Sequence, residues 1–220
     1  MTVLAIDTCE TNCSAAIVTS NGDAFKTIED IGRGHAERLL PMIEDLLDAA
    51  SISYADINRI AVTTGPGTFT GLRIGLSVAR GLALSLDVPC LGISALTILA
   101  AQAAAREGPI YSVIKGRGGQ VFFQAFNGRQ ADGVPKPIGE AVNLDADMAF
   151  QMIEGDAGYV LGSGVPLVMG REIGSEDVID PVALAHLAMS LDPHAFSPEP
   201  FYLRPADAVK AKPLIKISEE

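Results

Sequence analysis

The sequence predicts an α/β fold built as two lobes. Apolar runs of strand length alternate with helix-length stripes in the order β-β-β-α-β-α-β-α. That pattern stops at Gly108 and Pro109 and restarts with a second pair of strands, and a proline-rich stretch without periodicity closes the chain. At 220 residues the chain can bury a core as one domain or as two small lobes packed together. The predicted organisation is an N-terminal lobe over 1–107, a smaller C-terminal lobe over 108–195 and an extended tail over 196–220.

The elements follow in order. TVLAID is an apolar run of strand length that ends at Asp7, and CSAAIV is a second strand. Asn21 followed by Gly22 is a hairpin turn signal, so residues 24–28 form a third strand. Leu39, Leu40, Ile43, Leu46, Leu47 and Ala50 recur at spacings of three and four, a helical stripe that Pro41 is expected to bend or to start. Residues 59–64 read as a buried strand, residues 70–86 as a second helix with Thr68 or Thr70 as its cap, and residues 88–93 as a short strand. Ser94 caps an alanine-rich helix. Beyond Gly108, YSVIK and VFFQAF are strands joined by a glycine-rich turn, with a loose stretch over 127–139 after them. A short helix over 145–153, a strand over 159–161 ending in Gly162, Ser163 and Gly164, and a last helix over 181–191 complete the pattern.

Composition narrows the function classes. With 16 Lys and Arg against 27 Asp and Glu, the formal charge is −11, which repels phosphate backbones and anionic membranes. Direct, unaided RNA binding is therefore disfavoured. Arg204, Lys210, Lys212 and Lys216 form the one local excess of base and read as a solvated tail. Cys9, Cys13 and Cys90 are an odd number without a C-x-x-C pair, a usage that fits a reducing cytosol. The start lacks a signal-peptide pattern, and Arg80, Asp87, Pro89 and Gly92 interrupt the apolar 74–105 region before the ~20 residues a membrane span needs. A cytoplasmic protein without a membrane segment is expected.

Four constellations could carry chemistry. Asp7 and Thr8 at a strand end can hold a hydrated Mg²⁺ near a phosphate, or Asp7 can simply accept backbone hydrogen bonds. Gly65 and Gly67 open a strand-to-helix turn whose N–H groups suit an anion, although the G-K-[ST] ending of a phosphate loop is missing. Gly162 and Gly164 form a second tight turn, with no G-x-S-x-G nucleophile pattern around Ser163. Together these six residues leave weak binding of ATP or ADP with Mg²⁺ open. His35 at the first helix start lacks a second histidine one turn on, since position 39 is leucine, so metal ligation is disfavoured.

The helix after the first glycine turn says more. Gly71, Gly75, Ala79 and Ala83 recur every four residues and form a small-residue ridge that another helix could approach. Leu72, Leu76 and Leu84 line the next row, and Ile74, Val78 and Leu82 cover another side, so the helix is apolar nearly all round. One face can pack on its own sheet; the other needs more of this chain or a second one. Arg73 and Arg80 argue against complete burial within one chain.

The segments IDTC, GHAERLLPMIEDLL, AVTTGPGTFTGLRIGLSVARGLALSLDVPCLGISAL, VIKGRGGQVFFQAF, LGSG and PEPFYLRPADA resemble, nearly end to end, the bacterial TsaB family, also called YeaZ. The GPG-x-FTG-x-R-x-G segment is the most specific piece. The resemblance implies two ribonuclease-H-like lobes of the actin, sugar-kinase and Hsp70 (ASKHA) type. It also implies a role in making N6-threonylcarbamoyladenosine at position 37 of tRNA. It implies no catalytic residue and no cofactor of its own. Its partners would be a TsaD-type catalytic paralogue, a TsaE-type ATPase, or a second copy when the chain is alone, with tRNA met only through the complex. In that family the first two helices make the pairing surface. Here they carry His35, Arg38, Leu39, Leu40, Ile43, Thr70, Gly71, Arg73, Ile74, Gly75, Val78, Ala79 and Leu82, and Leu39 stands where the catalytic relative places a metal ligand. Lys115 and Gln120 replace residues that are commonly acidic in the family. An ATP-dependent phosphotransferase or a metal-dependent peptidase of the same fold is the alternative.

Overall fold

The structure is a computed structural model that describes residues 1–103 and 106–203. Strand β1 (Val3–Asp7) pairs antiparallel with β2 (Asn12–Val18), which pairs with β3 (Ala24–Asp30) across the turn at Asn21 and Gly22. Helix α1 (His35–Ala50) crosses to β4 (Arg59–Thr63), parallel to β1, and helix α2 (Phe69–Leu86) crosses to β5 (Cys90–Ile93), parallel to β4. The first sheet therefore has the order β3-β2-β1-β4-β5. Helix α3 (Ala95–Gln102) leads to the second sheet: β6 (Ile110–Lys115), β7 (Gln120–Arg129), β8 (Pro135–Pro137), β9 (Val142–Asp145) and, after α4 (Ala146–Ile153), β10 (Tyr159–Leu161). Helices α5 (Val165–Met169) and α6 (Pro181–Ser190) follow.

Residue alternation places each strand's two faces in different cores. On the first sheet, Leu4, Ile6, Ala15 and Ile17 face α1 and α2, whereas Val3, Ala5, Ala61 and Leu91 face α3 and α6. On the second sheet, Ile110, Ile114, Phe122 and Phe126 face the same α3–α6 layer, and Tyr111, Val113, Val121 and Phe123 face α4 and α5. The result is five layers: helices, sheet, helices, sheet, helices. It is the α/β arrangement that the sequence pattern predicts, and it agrees with the ASKHA-type fold that the family resemblance implies.

Three expectations need correction. The 108–195 segment does not keep to its own lobe, because α6 packs on β1, β2 and β4 of the first sheet, and Arg59 Nη1 of β4 donates to the Leu191 carbonyl at its end (2.8 Å). An apolar helix with Leu184, Ala185, Leu187 and Ala188 all buried has the right character for a layer between two sheets. Pro41 neither starts nor interrupts α1, which begins at His35 behind a left-handed Gly34. The stretch expected to be loose over 127–139 contains the end of β7 and all of β8, a three-residue partner of β7 without an alternating apolar signature, and β9 follows it as a second short partner of β7. Of the predicted tail, residues 196–203 lie on the surface of the first lobe, and Arg204, Lys210, Lys212 and Lys216 lie outside the described residues.

Candidate functional site: the outer face of the second helix

Helix α2 seats its small residues inward, not outward. A Cβ at Gly71 would sit 2.1 Å from the Thr8 carbonyl oxygen, and one at Gly75 would sit 2.4 Å from Thr8 Oγ1. Thr8 Oγ1 donates to the Gly71 carbonyl (2.7 Å), which locks the helix to the end of β1. Ala79 and Ala83 continue this buried row with Leu72 and Leu76 beside it. The ridge at 71, 75, 79 and 83 therefore lets the helix lie close on its own sheet and offers nothing to a partner. In α1, His35, Leu39 and Ile43 are likewise buried beneath the surface, and the His35 ring nitrogen Nε2 lies 3.1 Å from the Asn12 carbonyl oxygen. These six of the predicted pairing residues support the face from below.

The face that remains open carries a second small-residue row. Ser77, Gly81 and Ser85 stand four apart on the exposed side, and a Cβ built at Gly81 meets nothing within 4 Å. Leu84 is 86% exposed in the last turn of the helix, on this same side. Ile74, Val78 and Leu82 are half-buried along its border with α1, where Leu40 is also exposed, and Thr70 and Arg73 are exposed near the helix start. Arg38 is half-buried and held by Glu29 in a two-pronged ion pair, Nε to Oε2 and Nη2 to Oε1 at 2.8 Å each, with Asp45 beside it. By length and composition α2 is the one helix among the described residues that could cross a membrane, yet its inner side is fastened to β1.

The predicted nucleotide residues do not form a cradle. Asp7 is buried and accepts from Thr63 Oγ1 (2.7 Å) and Cys9 N (3.1 Å); burial raises its carboxyl above the usual carboxylate range despite these bonds. A hydrated cation needs access that this carboxyl lacks. A Cβ at Gly67 would sit 2.2 Å from the Cys9 carbonyl oxygen, and the Thr68 N–H already donates to that oxygen (2.6 Å). Gly65 presses on Phe201 and Leu72 instead of facing a ligand. Gly162 (φ +116°) lies against the Val113 carbonyl oxygen and donates its N–H to Asp177 Oδ1 (3.0 Å), and the Gly164 N–H donates to Val113 O (3.0 Å). Close packing accounts for each of these glycines, so these six residues leave no open cradle for ATP or ADP with Mg²⁺.

The structure also brings forward Glu10, which no motif singled out, and joins it to Ser163 and Lys115. Glu10, at the β1–β2 turn, accepts a hydrogen bond from Ser163 Oγ of the second lobe, and Ser163 Oγ in turn accepts from Lys115 N (3.0 Å). Burial, with Asp7 nearby, pushes the Glu10 carboxyl up to about 7. Gln120 receives a side-chain hydrogen bond from Asn143 (3.1 Å). Leu84 and Gly81 were legible only as parts of an all-round apolar helix, because their exposure depends on which row of α2 meets the sheet.

Comparison with known proteins decides the family. The TsaB protein of Escherichia coli (strain K12), "tRNA threonylcarbamoyladenosine biosynthesis protein TsaB", is 32% identical over 97% of this chain and 99% of its own length. The chain belongs to the TsaB family. The Haemophilus influenzae protein of the same name is 31% identical over 93% of this chain and 94% of its own. The solved structure of YeaZ from Pseudomonas aeruginosa superposes with a TM-score of 0.73 at 30% identity, covering 92% of this chain and 99% of that one. A family model described as "TsaD: tRNA N6-adenosine threonylcarbamoyltransferase" matches residues 28–155, a span that contains both α1 and α2. TsaB-family membership thus rests on nearly the whole chain, and the TsaD-type likeness on a segment that includes the site described above.

Proposed function

We propose that this TsaB-family chain takes part in tRNA N6-threonylcarbamoyladenosine biosynthesis as a non-catalytic subunit. Its work is to pair the outer face of α2, with the adjoining edge of α1, against a TsaD-type catalytic paralogue. The observation that carries this reading is the combination of an open glycine and a fully presented leucine on one helix face. Gly81 inside a helix costs about 1 kcal/mol relative to alanine unless close approach offsets it, and nothing in this chain approaches it. Leu84, at 86% exposure, would contribute roughly 1.5–3 kcal/mol on burial. A second helix laid in the groove formed by Ser77, Gly81 and Ser85 provides both. Alone, the chain fills this face with a second copy; in the cytoplasm a TsaE-type ATPase joins the pair, and tRNA is met through the complex.

The phosphotransferase and peptidase alternatives require an accessible carboxylate, base or metal set. Among the described residues no group of three or more His, Cys, Asp and Glu side chains is placed to hold a metal ion, and Asp7 is sealed. The reading is tested by co-purification with the TsaD-type paralogue of the same genome, followed by nucleoside analysis of tRNA from a strain depleted of this chain. Loss of threonylcarbamoyladenosine, restored by the wild-type chain and not by Leu84→Arg, is the expected result. Full restoration by Leu84→Arg would overturn the pairing role.

A further inference from the structure

The residues after α6 return to α2. Beyond the turn at Pro193–Ala195, the Gly92 N–H of edge strand β5 donates to the Phe196 carbonyl (2.9 Å), and the Arg80 guanidinium donates to the Pro198 carbonyl. The Phe201 N–H donates to the Thr64 carbonyl (2.7 Å), just before the glycine turn. Tyr202 stacks on Phe69, the first residue of α2, with ring centroids 5.7 Å apart. Arg73 lies over the Phe69 ring at 3.7 Å and points Nε at Tyr202 Oη (3.4 Å). Residues 196–203 are therefore a strap that runs back along α2 from Arg80 to Phe69.

Two glycines make room for it. A Cβ at Gly92 would sit 2.6 Å from both Pro198 Cα and the Ser197 carbonyl oxygen, and one at Gly65 would sit 3.2 Å from the Phe201 carbonyl oxygen. The turn that resembles a phosphate grip is in fact part of the seat for the chain's own C-terminal segment. Both α2 arginines are engaged with the strap, and neither has a carboxylate partner among the described residues. Phe69, Phe201 and Tyr202 are 42%, 38% and 46% exposed, so the seated strap extends the open α2 face with aromatic and arginine surface. That composition is typical of the few residues that dominate a protein interface.

We propose that the strap is a built-in wall of the docking face, and that the partner reads Phe69, Arg73 and Tyr202 together with Gly81 and Leu84. The inference rests on the pairing role proposed above. The occupant it calls for is a partner helix with an apolar face flanked by carboxylates, which complement Arg73 and Arg80 and pack on the aromatic pair. Association then requires a seated strap, and displacing the strap weakens it even with α2 intact.

The test uses the full chain and the purified TsaD-type paralogue, with affinity read by titration calorimetry and fold by circular dichroism. Tyr202→Ala removes the stacking partner, Arg80→Met removes the bond to Pro198, and Gly92→Val fills the seat. Each is expected to weaken association at least tenfold with helix content unchanged, and to speed proteolysis at residues 201–203. If Gly92→Val does not fold, the other two variants carry the test. Affinities within twofold of wild type for Tyr202→Ala and Arg80→Met would overturn the strap inference. Leu84→Arg, run in parallel, separates the two ideas: if it abolishes association while the strap variants do not, the pairing role stands and the strap inference falls. If Leu84→Arg also binds normally, the pairing role itself fails.

Discussion

The two faces of α2 are built from the same kinds of residue and do opposite things. The inner face uses Gly71, Gly75, Ala79 and Ala83 to bring backbone against Thr8 and Ile6, and every one of these positions is filled. The outer face uses Ser77, Gly81 and Ser85 in the same spacing, and the space above Gly81 is open. A four-residue repeat of small side chains thus announces close helix approach without saying from which side. Only the register of the helix on its sheet assigns one row to the core and leaves the other open to solvent.

Breaking the inner face should cost most. Gly75→Val forces a Cβ to within 2.4 Å of Thr8 Oγ1, and overpacking of that kind is expected to destabilise the chain by about 3 kcal/mol or more in urea denaturation. A variant of wild-type stability would show that the helix can slide on the sheet and would remove the distinction between the faces. On the outer face, Leu84→Arg is expected to leave the unfolding midpoint unchanged within about 0.5 kcal/mol, as for ordinary surface changes. It should weaken self-association at least tenfold by sedimentation.

The hairpin under the inner face offers a pH test. The folded Glu10 carboxyl keeps its proton up to about 7, whereas the unfolded chain releases it near 4.5. Between those values the native state binds more protons than the unfolded one, so this group's contribution to stability falls as pH rises. Glu10→Gln keeps a hydrogen-bond acceptor for Ser163 and removes the titration. It should therefore gain on the order of 1 kcal/mol over wild type at pH 7, with the gain vanishing near pH 4.5 and association unaffected. A constant difference across that range would show that Glu10 does not titrate there. The smallest effect sharpens the comparison furthest: Gly81→Ala should raise stability by about 0.5–1 kcal/mol while weakening association, because its Cβ fills the open space that the proposed pairing would use.

Much of the fold was legible because the signals were local. The Asn21 and Gly22 hairpin, the α1 stripe and the alternating strand burial all arise within a few residues, and the structure places them where the pattern predicts. What was not legible depends on distant pairing. The α6 stripe reads equally well beside either sheet, and only the second sheet's placement puts it against β1 and β2. The glycine turn reads as an anion site because its local sequence, glycines just before a helix start, is that of one; the competing fact, a C-terminal strap more than 100 residues away, leaves no mark near residue 65. For the candidate site, the sequence marks α2 but not which of its rows lies open, since Gly71 and Gly81 differ only in what lies across from them.

The return of α6 to the first sheet also bears on how the chain is made. Synthesis proceeds from the N-terminus, so β1 to β5 and their helices emerge with one broad face of the sheet still bare, awaiting residues 181–190. Until those residues arrive, Val3, Ala5 and Ala61 have only α3 to shelter them. A ribosome stalled anywhere before α6 would hold a sticky half-structure, and a fragment ending at residue 107 should aggregate instead of standing as a domain.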